Sequence, residues 1–279
     1  MATGTRPGEY RGQPWIYGVL VVGLVVVCLP FVWMVFSSFK PEGEIWRFPP
    51  TFLPERPTTA NYADLLTQLD FGRLAFNSVL IALVSTAGNL LFCSMLGYAL
   101  AKLDFPGKRL VFGLVMSKLM IPGMVLVIPT FVVVAALGLI NTYAGIILPG
   151  LAGPMGVFMM RQFMLGLPDD LAEAARIDGA GEYRIFFRIF LPLCKPALAT
   201  LGILTFLGSW NSFLWPLMVA QDKDLFTLPV GVALFAFDHQ NTDYGVLLAG
   251  STMLVLPVIA VFLFFQRHFV QGIATTGLK

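Results

Sequence analysis

Charged side chains are scarce in this sequence of 279 residues, of which only 12% are Asp, Glu, Lys or Arg. Soluble domains average about 25% charged residues, so this composition excludes a soluble enzyme, whose surface needs more of them. A hydrophobic share of 57% also excludes a disordered chain. The net charge of +2 is too small for a broad basic face, so no nucleic acid is expected as a partner.

Cysteine and histidine are also rare. The three cysteines (Cys28, Cys93 and Cys194) have no spacing typical of a metal site, and His239 and His268 have no second ligand nearby in the sequence. The catalytic motifs G-x-S-x-G and H-E-x-x-H do not occur, nor does the phosphate-binding pattern G-x-x-x-x-G-K-[ST]. We therefore expect no catalytic residue, no metal and no cofactor in this chain.

Long stretches without charge are abundant. Residues 12–39, 74–101, 196–221 and 244–266 contain no Asp, Glu, Lys or Arg, and residues 110–160 contain only Lys118. A helix needs about 20 residues to cross a bilayer, so 110–160 is long enough for two spans and the others for one each. Continuous apolar runs satisfy their backbone groups in lipid only as helices. The sequence thus predicts an all-α integral membrane protein with six transmembrane helices, at about 16–37, 74–100, 110–136, 144–163, 196–220 and 244–266.

The positive charges predict the orientation of these spans. With the N-terminus inside, the inner segments carry twelve Lys and Arg residues and the outer segments five. This asymmetry predicts a multi-pass membrane protein with both termini in the cytoplasm. It divides the chain into an N-terminal tail (1–15), a six-helix domain (16–266) with a cytoplasmic loop at 164–195, and a C-terminal tail (267–279).

The cytoplasmic loop is predicted to begin with a short helix. Pro168 suits its first turn, Asp169 and Asp170 complement the positive end of its dipole, and Gly179 is a stop signal. About ten residues give roughly 15 Å, half a bilayer, so this helix cannot span. Two interpretations are open from the pattern alone. The helix docks in a groove of another protein, or it is a solvated amphipathic loop on the membrane.

One spaced motif in this loop carries a family resemblance. It consists of Glu173-Ala174-Ala175, then Gly179, and then Ile189-Phe190-Leu191-Pro192. The motif resembles the EAA signature of permease subunits of binding-protein-dependent ABC importers. Residues 141–149, 210–217, 228–235 and 266–279 are similar to the carbohydrate-uptake branch, and there to the six-span second permease of maltose-type systems. The resemblance covers about residues 14–279 and implies a type I ABC importer permease fold with a cytoplasmic coupling helix.

The resemblance also implies a function, a set of partners and a location in the cytoplasmic (inner) membrane of a bacterium or archaeon. The chain is expected to be a permease subunit that translocates a sugar or related solute by alternating access, without an ATPase site of its own. The implied partners are a second permease subunit in a heterodimer, two cytoplasmic ATPase subunits that bind ATP and Mg, and an extracytoplasmic solute-binding protein. In the loop, we expect Glu173 to contact the ATPase, Ala174 and Ala175 to pack against it, Asp178 to form local hydrogen bonds and Gly179 to make the turn.

A few polar residues lie inside the predicted spans. Lys118 is the one charge there; it either extends to the inner surface or pairs structurally, or else it lines a translocation pathway. Trp210, Asn211 and Ser212 lie in the middle of the fifth span, where they either contact a sugar or serve helix packing. Prolines are expected to kink several spans, namely Pro122, Pro129, Pro216 and Pro257.

An alternative function is an ion-coupled secondary transporter or a channel that works without an ATPase. Such a protein needs ionisable residues at mid-membrane, and Lys118 alone offers one. It is also expected to show two matching halves of spans, which this sequence does not display. A membrane-embedded enzyme needs a cluster of polar catalytic groups, and none is visible.

Overall fold

A computed structural model of the chain describes residues 14–238 and 243–276, with side chains described for 15–235 and 243–263. His239, residues 1–13 of the predicted N-terminal tail and the side chains of the predicted C-terminal tail, including His268, therefore lie outside the described residues. Within the described part, all regular structure is helical. In chain order the helices are α1 (Pro14–Ser37), α2 (Glu42–Ile45), α3 (Ala60–Gln68), α4 (Phe71–Lys102), α5 (Lys108–Met120), α6 (Gly123–Ala136), α7 (Tyr143–Ile147), α8 (Pro154–Leu165), α9 (Asp170–Ile177), α10 (Glu182–Ile185), α11 (Leu191–Leu193), α12 (Lys195–Trp210), α13 (Leu214–Val219), α14 (Leu228–Asp238) and α15 (Tyr244–Thr276).

The centre of the bundle is a close pairing of α4 with α8, onto which α12 packs. Gly97 lies so near α8 that a β-carbon there would be 2.8 Å from Met160 Cβ and 3.0 Å from the Arg161 nitrogen. On the facing helix, a β-carbon at Gly156 would lie 2.8 Å from Cys93 Sγ. Small residues at such positions allow two membrane helices to approach closely and gain van der Waals contact.

Three long helices, α1, α4 and α15, are apolar enough to cross a membrane unbroken. The other predicted spans fall on interrupted helices. The span at 110–136 falls on α5 and α6, which are bent by 114°. The span at 144–163 falls on α7 and α8, where Tyr143–Gly150 and Pro154–Leu165 are bent by 40°. The span at 196–220 falls on α12 and α13, whereas the third bent pair joins Glu182–Leu193 to α12 at 81°. If each bent pair counts as one span, the described residues provide up to six.

Proline explains only some of these interruptions. Pro122 lies directly at the break between α5 and α6, where its missing N–H cannot continue the backbone hydrogen bonds. Pro129 and Pro257 instead lie inside the continuous helices α6 and α15. Pro216 lies inside the short helix α13. Pro129 and Pro257 therefore do not interrupt their helices.

α1 is exposed along most of its length. Val22 and Val26 expose 63% and 64% of their surface, and the helix becomes buried only at its end, near Ser37. An apolar helix that leaves most of its surface exposed requires lipid or another membrane protein around it.

The segment between α1 and α4 closes one end of the bundle. Lys40 is 2% exposed, and its ammonium donates a hydrogen bond to the Thr51 carbonyl. The carboxylate of Glu42 accepts hydrogen bonds from the backbone N–H groups of Tyr244 and Gly245, at 3.4 and 3.0 Å. An acidic group at a helix N-terminus is favourable, so this segment caps the last long helix, α15.

Candidate coupling site and membrane groove

The coupling helix, α9 (Asp170–Ile177), lies in the loop that follows α8. Asp170 and Glu173 occupy its first turn, where acidic side chains complement the helix dipole, and Arg176 occupies its last turn. Ala172 is 3% exposed and belongs to the hydrophobic core, whereas Ile177 is 86% exposed. One face of α9 is thus fixed to the bundle and the other is open.

Gly179 ends the coupling helix with a left-handed residue, at φ 79°. The N–H of Ala180 donates to the Ala175 carbonyl at 2.9 Å, and the N–H of Gly179 donates to the Arg176 carbonyl at 3.0 Å. These two bonds form a Schellman motif, which satisfies the last carbonyls of a helix and reverses the chain. Residues with a β-carbon rarely adopt this backbone conformation, so glycine is required here for backbone reasons.

Replacing Gly179 by alanine is expected to loosen this turn. The left-handed conformation costs an L-residue roughly 1–2 kcal/mol, although open space surrounds the position. Gly181→Ala is the matched control, because Gly181 is also surrounded by open space and has an ordinary φ of −75°. Hydrogen exchange of residues 170–182 should rise in the first variant and stay unchanged in the second. Equal exchange in both variants would show that the turn does not depend on Gly179.

The loop is joined to the bundle by charged contacts outside the membrane spans. Lys102, at the end of α4, forms an ion pair with Asp169, and this contact lowers the pKa of the Asp169 carboxyl. Glu182, at the start of α10, accepts a hydrogen bond from Arg176 at 2.8 Å. The guanidinium group lowers the pKa of Glu182, and a bond from the Tyr98 hydroxyl adds to that effect. Both carboxyls therefore stay ionised at neutral pH.

The residues expected to contact an ATPase lie on the open side of this loop. Glu173, Ala174 and Asp178 are exposed, and Ala175 is partly buried against the core. Together with Ile177, these residues form a surface that combines small, acidic and apolar side chains. Most of this surface is exposed in the described part of the chain, so it is available for contact with another protein.

A groove of about 530 Å³ opens between α4, α6, α7, α8, α12 and α13. Its walls are mostly apolar, as ligand pockets in proteins commonly are. The polar side chains of the groove come from α4, α6, α12 and the connection that follows α12, namely Ser85, Asn89, Thr130, Thr205, Ser209 and Ser212. The Asn89 amide also donates to the Gly150 carbonyl at 2.6 Å, next to the interruption between α7 and α8.

The polar residues predicted within the spans lie in different surroundings in the structure. Ser212 lines the groove. Trp210 is 3% exposed, lies in the core, and donates its indole N–H to the Leu254 carbonyl at 3.1 Å. Asn211 is exposed and bonds the Leu207 carbonyl at 2.9 Å. Lys118 is exposed near the end of α5, outside the groove.

The sequence contained a signal for the groove that the predicted site did not use. Thr205 and Ser209 are four residues apart in α12, a spacing that places them on one face of that helix. The groove lies on that face. Tyr98 and Glu182 carry no comparable signal, because their contact joins positions 84 residues apart.

An all-helical membrane bundle with a groove and a short, partly exposed helix at one end is typical of the class of membrane transport subunits. The chain belongs to the family of binding-protein-dependent transport system inner membrane components, whose sequence profile matches residues 93–275. This confirms the family resemblance of the EAA motif and the predicted role as the permease subunit of an ABC importer.

Curated relatives are similar over nearly their whole length. The arabinooligosaccharides transport system permease protein AraQ of Halalkalibacterium halodurans is 42% identical, over 96% of this chain and 99% of the relative. The diacetylchitobiose uptake system permease protein NgcG of Streptomyces coelicolor is 36% identical, over 98% of this chain and 91% of the relative.

A solved structure shows the same fold. A chain of a bacterial ABC transporter involved in the import of the acidic polysaccharide alginate superposes with a TM-score of 0.82 and 23% identity. The superposition covers 96% of this chain and all of that one. The predicted all-α permease fold is thereby confirmed.

Proposed function

We propose that this permease carries an oligosaccharide or a related solute. The single observation that supports this cargo is the high similarity to two permeases named for oligosaccharide uptake, AraQ and NgcG, across nearly the full chain. The groove is consistent with such a solute, because its hydroxyl and amide groups offer hydrogen bonds to a sugar on otherwise apolar walls.

The proposed assembly is a heterodimer of this chain with a second permease subunit. Two cytoplasmic ATPase subunits bind ATP and Mg, and an extracytoplasmic binding protein delivers the solute. The coupling helix and both termini lie in the cytoplasm, which agrees with the excess of Lys and Arg on that side. The open surface around Glu173 is the proposed contact with one ATPase.

The proposed mechanism is alternating access driven from the coupling helix. ATP closes the ATPase pair, which displaces α9 and tilts the helices that line the groove, a rigid-body change between two states. ATP favours one state only because its affinity for the two differs. The groove is then this chain's part of the solute pathway, with Ser209 and Ser212 on its wall.

Reconstitution of the whole importer in proteoliposomes tests the proposed function. Uptake of labelled arabinooligosaccharide or diacetylchitobiose should require both ATP and the binding protein. Uptake that follows an ion gradient without ATP would instead support the secondary transporter. A panel of labelled oligosaccharides in the same assay identifies the solute.

Filling the groove is expected to stop uptake. Ser209→Trp places a large side chain where the groove is open, so uptake should fall to near background while the ATPase subunits remain bound. Leu83→Trp is the matched control, because Leu83 is 55% exposed on α4 and lies outside the groove. Normal uptake by Ser209→Trp would place the solute pathway elsewhere.

A further inference from the structure

The loop that carries the coupling helix is fixed to α4 at two points. At the first, the Lys102 ammonium donates to the Leu167 carbonyl at 2.6 Å and forms an ion pair with Asp169. The Lys102 side chain is only 3% exposed, and its ammonium lies 5.5 Å from the centre of the Phe190 ring. This contact holds the chain just before α9 begins.

The second point lies just after α9 ends. The Tyr98 hydroxyl donates to one carboxylate oxygen of Glu182 at 2.7 Å, and Arg176 donates to the other at 2.8 Å. Tyr98 is 4% exposed, and its ring centre lies 5.4 Å from that of Phe186 and 5.2 Å from that of Phe190. Because Arg176 belongs to α9 itself, Glu182 connects the coupling helix directly to α4. We call Tyr98, Lys102, Asp169, Arg176 and Glu182 the α4 clamp.

α4 is suited to carry a displacement across the membrane. It runs without interruption from Phe71 to Lys102, 32 residues, and contains no proline. At 1.5 Å per residue its length is about 48 Å. Ser85 and Asn89, farther along this helix, line the groove. The covalent route from the loop to the groove is less direct, because the chain bends by 81° between Glu182–Leu193 and α12.

We propose that Tyr98 and Lys102 are positioning residues that lock the coupling helix to α4, so that α4 moves its groove-lining face when α9 is displaced. This rests on the proposed function, in which an ATPase drives α9. Coupling between distant sites needs a contiguous element with two arrangements, and the clamp with α4 forms a continuous physical connection. The loss of the clamp should therefore weaken coupling without removing the ATPase contact surface.

The test measures movement of α4 directly. In the reconstituted importer, Ser85→Cys reports exposure of the groove wall to a soluble thiol reagent, with the exposed Cys28 replaced by alanine and the buried Cys93 and Cys194 retained. Tyr98→Phe keeps the ring and removes the hydroxyl, and Lys102→Met keeps the length and removes the charge. In each, the ATP-dependent change in labelling and the uptake per ATP hydrolysed should fall roughly twofold to thirtyfold.

Lys108→Met is the matched control, because the Lys108 ammonium bonds Leu103 and Asp104 at the same end of the bundle. It should keep the parent's labelling change. Parent-like behaviour of the double variant Tyr98→Phe, Lys102→Met would overturn the proposal, and so would loss of the ATPase subunits from either single variant. A parent importer that shows no ATP-dependent labelling would overturn the proposed function itself.

Discussion

Glu173→Lys is expected to abolish ATP-driven uptake and to release the ATPase subunits from the purified complex. The charge reversal falls on the open face of the coupling helix, where a like charge across an interface costs several kcal/mol. Each loss of about 1.4 kcal/mol in binding free energy lowers the affinity about tenfold, so little ATPase should copurify. Copurification and uptake in proteoliposomes measure the two effects.

The structure explains why this change should spare the fold. Glu173 is exposed, and its neighbour Ile177 exposes 86% of its surface. Within the helix, the reversal removes a favourable acidic group from the first turn, which is worth only about 0.3–1 kcal/mol. The protein should therefore insert and fold, and the loss should appear in assembly alone.

Asp104→Lys is the matched control for charge. Asp104 is also a fully exposed acid at the same end of the bundle, where it pairs with Lys108 and not with α9. This variant should keep its ATPase subunits and its uptake. If Glu173→Lys retained both as well, the coupling helix would not be the ATPase contact. If both variants lost the ATPase, the effect would be one of general surface charge.

The sequence predicted the continuous spans better than the interrupted ones, for a physical reason. The hydrocarbon core excludes charge, so charge-free runs mark α1, α4 and α15 directly. Interruptions depend on tertiary packing. Pro129 lies inside a continuous helix and Pro122 at a break of 114°, although both follow apolar residues in the same run.

The candidate site was predictable only where its residues are neighbours in the sequence. The helix-start signal at Pro168 and the helix-stop signal at Gly179 predict a short helix, and the structure has one at Asp170–Ile177. Trp210 and Ser212 are only two positions apart in the sequence, yet one is buried in the core and the other lines the groove. Trp210 ends α12 and Ser212 lies beyond that end, so their different surroundings are set by tertiary packing and not by their proximity in the sequence.

Gly145→Ala is expected to have the second large effect, on folding. A β-carbon at Gly145 would lie 2.1 Å from the Leu139 carbonyl oxygen and 3.1 Å from Val219 Cγ1. The nearest atom belongs to the backbone, which cannot rotate away as a side chain would. The cost should reach or exceed the upper end of the roughly 1–3 kcal/mol that overpacking commonly causes. The melting temperature of the detergent-solubilised protein should fall clearly.

The backbone at Gly145 cannot shift easily, because the neighbouring turn is tied to a distant segment. Asn141 has a positive φ of 57°, and its N–H donates to the Val219 carbonyl at 2.8 Å. Its side-chain oxygen accepts the N–H groups of Gln221 and Asp222 at 2.9 and 3.1 Å. The turn before α7 is thus fixed to the end of α13, and both helices line the groove.

A matched glycine separates this packing effect from helix propensity. Gly113→Ala, in α5, adds the same methyl group where no atom lies within 4 Å, so its melting temperature should be unchanged or slightly higher. If Gly145→Ala had the same melting temperature as Gly113→Ala, the turn before α7 would be able to relax and its connection to α13 would not be rigid. If instead Gly145→Ala melts low and Asn141→Ala lowers the melting temperature in the same direction, the connection between α7 and α13 holds the groove walls together.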